Sequence, residues 1–355
     1  MRAGVILLLL GFFGLLLAIG GLGLTFSDQQ LAGAVALASL PVPVYVGLAL
    51  CIDRYEPEPP ALLFGAFLAG ASISALFSLL VNEQNHFYFY RIIGDHRAAS
   101  DLSAIFSAPP VEEVFKALAL LLLYLWRSKD FDGIVDGVIY ATMIALGFSM
   151  AENVHYYGMA IQTQEVSQLF LLRGVFMAFT HPLFTSMTGA GLGWAIENPQ
   201  RSWRWLAPLV GLMAAVALHF AWNLSATVDT YLWYGTCLLI MIPSALVLGA
   251  ILEAALAREG QCLRRYLRHD LPSVELETVS SILGRVRFSL TALLRQGPRD
   301  WKRSEDFLQA ASQLAFLRRG REERGQPAQE EEEEALRNRM YALQSQLSRR
   351  FARPH

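Results

Sequence analysis

Through most of its first 250 positions the chain carries its apolar residues in long runs, with neither strand alternation nor a single helical stripe. Eight runs, at approximately 3–24, 31–52, 61–81, 104–126, 134–154, 170–195, 205–227 and 231–253, can each cross about 30 Å of hydrocarbon as a helix of roughly 20 residues. The first is longer than the usual core of a signal peptide, and a second follows within a few residues, which predicts a retained span. From about 257 the pattern turns amphipathic. Residues 275–295 set Val279, Ile282, Leu283, Val286, Leu290, Leu293 and Leu294 on one stripe, and 304–318 do the same with Phe307, Leu308, Ala311, Leu314 and Ala315. After a linker at 320–329, the acidic run Glu330 to Glu334 opens a last helix, where negative charge suits the helix dipole. Its Leu336, Met340, Leu343 and Leu347 have the spacing of a helical hairpin or a short coiled-coil seam. The predicted fold is all-α: a polytopic membrane domain of about eight transmembrane helices over 1–256, then a soluble charged helical domain over 257–355 suited to docking or self-association.

Composition agrees with a bilayer as solvent. Of 355 residues, 54% are hydrophobic and 17% charged, and the mean hydropathy is +0.36. The charge is unevenly placed, with 19 of the 29 Lys and Arg residues at or after position 257. Arg2, Arg54, Arg127, Lys129, Arg201, Arg204 and the basic tail fall on one side of the predicted spans, against Arg91 and Arg97 on the other. Positive charge marks the cytoplasmic side, so both termini are expected in the cytoplasm. Residues 82–103, polar and aromatic with His86 and His96, are expected as an extracytoplasmic loop. Cys51, Cys237 and Cys262 have no paired metal-site spacing, and no nucleic-acid motif is present.

Ionisable residues inside apolar runs are the feature that changes this picture. Pro109-Pro110-Val111-Glu112-Glu113-Val114-Phe115-Lys116 heads the fourth run. Each such group near a helix centre costs roughly 2.5–3.5 kcal/mol on insertion scales, so three in one turn must face protein or water. Glu152-Asn153 close the fifth run, His181 lies mid-way in the sixth, and His219 and Asn223 share a face of the seventh at i, i+4. With the orientation above and 1.5 Å of rise per residue, Glu113, His181 and His219 all fall roughly 12–17 Å below the outer surface. A common depth on separate helices predicts one polar cavity in the outer half of the bilayer.

The residue types suit hydrolysis by water. A carboxylate tuned by a neighbour is a general base, histidine moves a proton or binds metal, and an asparagine amide can donate to an oxyanion. One glutamate with two histidines, here Glu113, His181 and His219, is also a zinc set with an open position. These types alone do not choose between a glutamate mechanism and a divalent metal. They also suit an ion- or proton-coupled transporter, the alternative function. The HExxH zinc motif and the GxSG serine motif are absent. Asp132 and Asp136 lack the surroundings of an aspartyl intramembrane protease and are expected to cap a helix.

The series Glu112-Glu113-x-x-Lys116, Gly147-Phe148-x-x-x-Glu152-Asn153, Arg173 with His181, and His219-x-x-Trp222-Asn223 resembles the PrsW family of intramembrane proteases, as does the loop Asp53-Arg54-Tyr55-Glu56-Pro57. That family is similar in turn to the CAAX-protease and bacteriocin-processing group. The resemblance covers about residues 45–230 and leaves out the charged tail. It implies an endopeptidase that cuts a membrane-tethered protein, such as an anti-sigma factor, near the extracytoplasmic face. Carried over by position, Glu112 and Glu113 activate water with Lys116 beside them. His181 and His219 polarise water or carbonyl or bind metal, Asn223 steadies the oxyanion, and Glu152 and Asn153 support the site.

Overall fold

The computed structural model describes residues 25–128, 131–324 and 329–351. All regular structure among them is helical. The chain divides into two compact units, Met1–Leu50 with Glu58–Leu252, and Cys51–Pro57 with Glu253–His355.

The first unit opens with α1 (Asp28–Ser39), α2 (Val42–Ile52), α3 (Pro60–Ala69) and, after a π-helical turn at Gly70–Ser74, α4 (Ala75–Ile93). α5 (His96–Leu102) passes through a second π-helical turn, Ser103–Ser107, into α6 (Ala108–Trp126). α7 (Ile134–Thr163), the short α8 (Val166–Leu169) and a third π-helical stretch, Phe170–Phe176, lead to α9 (Thr180–Glu197). α10 (Leu206–Val228), α11 (Thr230–Thr236) and α12 (Ile242–Leu267) complete the series, α12 entering the second unit at Glu253. Among the described residues, six helical segments are long and apolar enough to cross a membrane: Asp28–Ile52, Pro60–Ile93, Ile134–Thr163, Val166–Glu197, Leu206–Val228 and Thr230–Leu267. The chain is an integral membrane protein. Of the eight predicted spans, 3–24 lies outside the described residues, and 104–126 is set apart by Glu112, Glu113 and Lys116 within α6.

Three boundaries differ from expectation, and each bears on the site. The predicted loop 82–103 is mostly helix. α4 runs on to Ile93, where Gly94 takes a left-handed φ of 76° as a helix stop, and the Asp95 carboxylate caps α5 by accepting from the Ala98 N–H. Glu152-Asn153 do not close the fifth helix, which continues to Thr163. His181 lies mid-way in the candidate span Val166–Glu197, as expected, but at a break within it: α9 begins at Thr180, and Pro182 occupies the first turn, where a missing N–H costs no hydrogen bond. The expected capping role at Asp136 is seen, since its Oδ2 accepts from the backbone N–H groups of Asp132 and Gly133.

Small residues bring α7 and α9 together. A Cβ on Gly137 would lie 2.1 Å from the Gly189 carbonyl oxygen, and one on Gly189 equally 2.1 Å from that of Gly137. Gly133/Gly137 and Gly189/Gly193 are therefore facing GxxxG pairs, the spacing that lets membrane helices approach backbone to backbone.

The second unit is built by the end of α12, α13 (Ser273–Val279), α14 (Ile282–Gln296), α15 (Pro298–Arg324) and α16 (Glu330–Phe351). Phe307, Leu308, Ala311, Leu314 and Ala315 are buried in its core with Met340 and Leu347. Of the stripe predicted over 275–295, Val279 is buried in this core and Ile282 packs against it, whereas the leucines are corrected. α14 turns Arg285, Ser289 and Ala292 inward and leaves Leu283, Leu290, Leu293 and Leu294 exposed. Arg285 holds that orientation by donating to the backbone carbonyls of Val279 and Leu308, each at 3.1 Å, with its guanidinium over the Tyr55 ring. Burial pushes its pKa down to about 10. The predicted linker at 320–329 is also shorter than expected, because α15 continues to Arg324.

Candidate active site

Neighbouring residues on a helix point about 100° apart, so Glu112 and Glu113 approach the site from different sides. Pro109 and Pro110 fit the first turn of α6 and place both carboxylates one turn inside it. Glu113 is fully buried and fully engaged. Its Oε1 accepts from Lys116 Nζ at 2.5 Å and from His219 Nδ1 at 3.0 Å, and its Oε2 accepts from Thr185 Oγ1 at 2.9 Å. Lys116, one turn on, is as deeply buried and also reaches His181 Nδ1 at 3.2 Å, with the Phe148 ring 4.4 Å from its ammonium. The ammonium is a donor, so His181 Nδ1 accepts, and its Nε2 donates to Glu152 Oε2 at 3.1 Å.

Glu152 is tied in turn to Arg173, whose Nη2 donates to Glu152 Oε2 at 2.8 Å and whose Nε donates to Asn153 Oδ1 at 2.7 Å. Arg173 stands in the π-helical stretch Phe170–Phe176, and its guanidinium lies 3.8 Å from the centre of the Tyr156 ring. The break between that stretch and α9 lets Arg173 and His181 meet Glu152 together.

Glu112 points elsewhere. Its Oε1 accepts from Asn82 Nδ2 at 3.4 Å. Its Oε2 is buried without a hydrogen-bond partner and lies 3.9 Å from His219 Nε2. Glu112, His181 and His219 each offer one ligand atom, and these three atoms lie within 4.8 Å of one another. The set expected from the residue types held Glu113 in that place; Glu113 instead orients His219 from the far side of the ring. All three groups border a cavity of about 600 Å³ at Glu112, Glu152, His181 and His219, which also reaches Asn82, Arg173 and Asn223.

The structure thus joins Glu112, Glu113, Lys116, Glu152, His181 and His219 in one contact network, and Asn153 enters it through Arg173. Asn223 borders the same cavity, but its amide donates to the Ala104 carbonyl at 2.8 Å and to none of those groups. Thr185 and Asn82 were not anticipated. Thr185 lies one turn beyond His181 on α9, a signal available in the spacing. Asn82 fell in the stretch expected as a loop.

A family model described as "PrsW family intramembrane metalloprotease" matches residues 58–248, which include every residue of this network. The chain belongs to the PrsW family. Two curated relatives, both named Protease PrsW, are similar over shorter stretches. The one from Oceanobacillus iheyensis is 33% identical over 92 residues, 26% of this chain and 40% of the relative. The one from Clostridioides difficile strain 630 is 34% identical over 117 residues, 32% of this chain and 47% of the relative. The chain therefore spans less than half the length of these relatives. No solved structure matches it.

The PrsW family description implies a metal, and the donor set fits one. Glu113, held by an ammonium, is an acceptor, so His219 Nδ1 donates to it and the Nε2 lone pair is left toward Glu112 Oε2. Two acceptors then face each other with no donor on Glu112 Oε2. Ionised, Glu112, Glu113 and Glu152 outnumber Lys116 and Arg173 by one negative charge. A buried orphan acceptor and a net negative site both call for a cation. The Glu113–His219 contact is the carboxylate–histidine pairing that orients metal ligands elsewhere.

Proposed function

We propose that this chain is an intramembrane endopeptidase that hydrolyses a peptide bond in a membrane-tethered protein, near the extracytoplasmic face of a bacterial cytoplasmic membrane. One observation carries the reading: in a PrsW family chain, Glu112, His181 and His219 converge on a buried orphan oxygen at the wall of a cavity large enough for an extended segment of chain. A substrate of the anti-sigma-factor kind, one span with a short outer segment, suits that cavity. The relatives' name supports a protease over the ion-coupled transporter that the same residue types allow.

Glu112, His181 and His219 would hold a divalent ion such as zinc, His181 through Nε2 after losing the proton it shares with Glu152, because its Nδ1 lone pair is taken by Lys116. Such an ion supplies Lewis-acid polarisation of the scissile carbonyl and of a water. Glu113 holds the His219 ring in one tautomer, and Lys116 and Thr185 hold Glu113. Glu152 borders the cavity, and once His181 Nε2 has lost its proton to solvent the Glu152 Oε2 keeps its Arg173 contact and is free to accept. It is therefore the carboxylate placed to accept a proton from water and return it to the departing amine. Arg173 holds Glu152 in place, and Asn153 fixes the Arg173 fork. The Asn223 amide is engaged with Ala104, so an oxyanion role for it requires that bond to break.

The test is cleavage of a single-span reporter by the full chain in proteoliposomes. Cleavage should be lost by a chelator and restored by zinc. Glu112→Gln and His219→Ala should each lower it at least ~100-fold, the low end for a group acting in the reaction. Undiminished cleavage by a Glu112/Glu113 double alanine variant would overturn the reading.

A further inference from the structure

A buried carboxylate with one bare oxygen needs something to stop it from rotating toward the nearest donor. At Glu112 that something is a chain of polar side chains outside the motifs already considered. Asn82 Nδ2 lies 3.4 Å from Glu112 Oε1, Ser107 Oγ lies 2.9 Å from Asn82 Oδ1, and Asn85 Nδ2 lies 2.7 Å from Ser107 Oγ. Asn82 and Asn85 stand on α4, and Ser107 closes the π-helical turn that leads into α6. Ser103 Oγ adds a contact to the Asn82 backbone carbonyl at 3.4 Å.

The direction of this chain is fixed from one end. Glu112 as a carboxylate only accepts, so Asn82 must turn its NH₂ toward it. The Asn82 carbonyl oxygen then faces Ser107, which must donate. The Ser107 oxygen is left to accept, and Asn85 donates to it. Every bond points toward Glu112, and the last of them ends on Oε1. Oε2 receives nothing and remains directed at His219 Nε2.

We propose that Asn82 is a positioning residue, backed by Ser107 and Asn85, that pins Glu112 through Oε1 so that Oε2 is presented to a cation shared with His181 and His219. The inference rests on the metal-holding reading above. The π-helical turn at Ser103–Ser107 serves this placement: its wider winding sets Ser107 against α4 immediately before the helix that carries Glu112. Loss of such a supporting partner typically lowers metal affinity or activity by about 10–100-fold.

The experiment measures zinc affinity of the purified full chain by competition with a chromophoric chelator, and cobalt(II) spectra of the same samples, with no substrate present. Asn82→Ala should weaken zinc binding by about 10–100-fold and change the cobalt ligand-field bands. Ser107→Ala should weaken it by a smaller factor, because Asn82 keeps its donor. Asn85→Ala should do least. A structural role alone would lower the unfolding temperature without changing the cobalt bands of the folded fraction. Zinc binding that is weakened by Glu112→Gln but untouched by Asn82→Ala overturns this inference and leaves the metal-holding reading standing. An unsubstituted chain that binds no zinc overturns both.

Discussion

Lys116 is the residue on which the cluster's electrostatics turn. Its ammonium is wholly buried and touches Glu113, His181 and the face of Phe148, so it neutralises one carboxylate and supplies the donor that sets the tautomer of His181. Removing one partner of a buried ion pair strands the other charge, at a cost of about 3–5 kcal/mol. Lys116→Met should therefore destabilise the folded chain by about that amount, read by unfolding in detergent, and Glu113→Gln added to it should recover part of the loss. With Glu113→Gln measured alone as well, strictly additive losses in the double variant would show that the two groups are not coupled. The cluster was legible in the sequence because an ionisable side chain in an apolar run needs a reason to be there. Which glutamate does what was not. Glu112 and Glu113 are adjacent letters, and only the placement of α4, α9 and α10 separates the one that faces His219 Nε2 from the one that faces Nδ1. Asn82 was illegible for a different cause: polar residues at the end of an apolar run read as the start of a loop, whereas α4 carries them on as helix beside a polar cavity.

At the scale of the helix, the site depends on how closely α9 lies on α7, because His181 begins the first and Glu152 sits on the second. The facing pairs Gly133/Gly137 and Gly189/Gly193 set that spacing. A methyl group at Gly189 would meet the Gly137 carbonyl oxygen at 2.1 Å, a backbone atom that no side-chain rotation can move aside. Gly189→Ala should lower stability by about 1–3 kcal/mol, the range for overpacking, and should weaken cleavage as the helices separate. Gly47→Ala is the matched control. Nothing lies within 4 Å of its added carbon, so the better helix propensity of alanine should leave stability unchanged or raise it by up to about 1 kcal/mol. Equal losses at both positions would remove the packing argument. The long apolar helices themselves were read from hydropathy, while their breaks were not. The start of α9 at Thr180 follows from Pro182, which is visible in the sequence, but the π-helical stretch that brings Arg173 to Glu152 leaves no hydropathic mark.

At the scale of the molecule, composition changes near residue 257, and in the helices beyond it amphipathic periodicity chose the wrong face of one. The leucines of α14 form the cleaner stripe, yet the inward face is Arg285, Ser289 and Ala292. The reason is tertiary: the unit includes the loop Cys51–Pro57, far away in sequence, and Tyr55 from that loop is buried with its hydroxyl donating to the Ser280 carbonyl and its ring beneath Arg285. No local pattern reports a partner more than 200 positions away. The two faces give opposite expectations for substitutions that look alike on paper. Leu314 is fully buried among Phe307, Leu308 and Met340, so Leu314→Ala should cost about 2–5 kcal/mol and open the tail to protease at lower temperature. Leu290 and Leu294 are exposed, at 49% and 75%, so Leu290→Glu with Leu294→Glu should change the same readout by no more than about 0.5 kcal/mol each. Were the amphipathic stripe the buried one, the paired glutamates would be the more damaging change. Limited proteolysis of the full chain across a temperature series ranks the variants directly, and a tail destroyed by the glutamates but indifferent to Leu314→Ala would reverse the assignment of α14's faces.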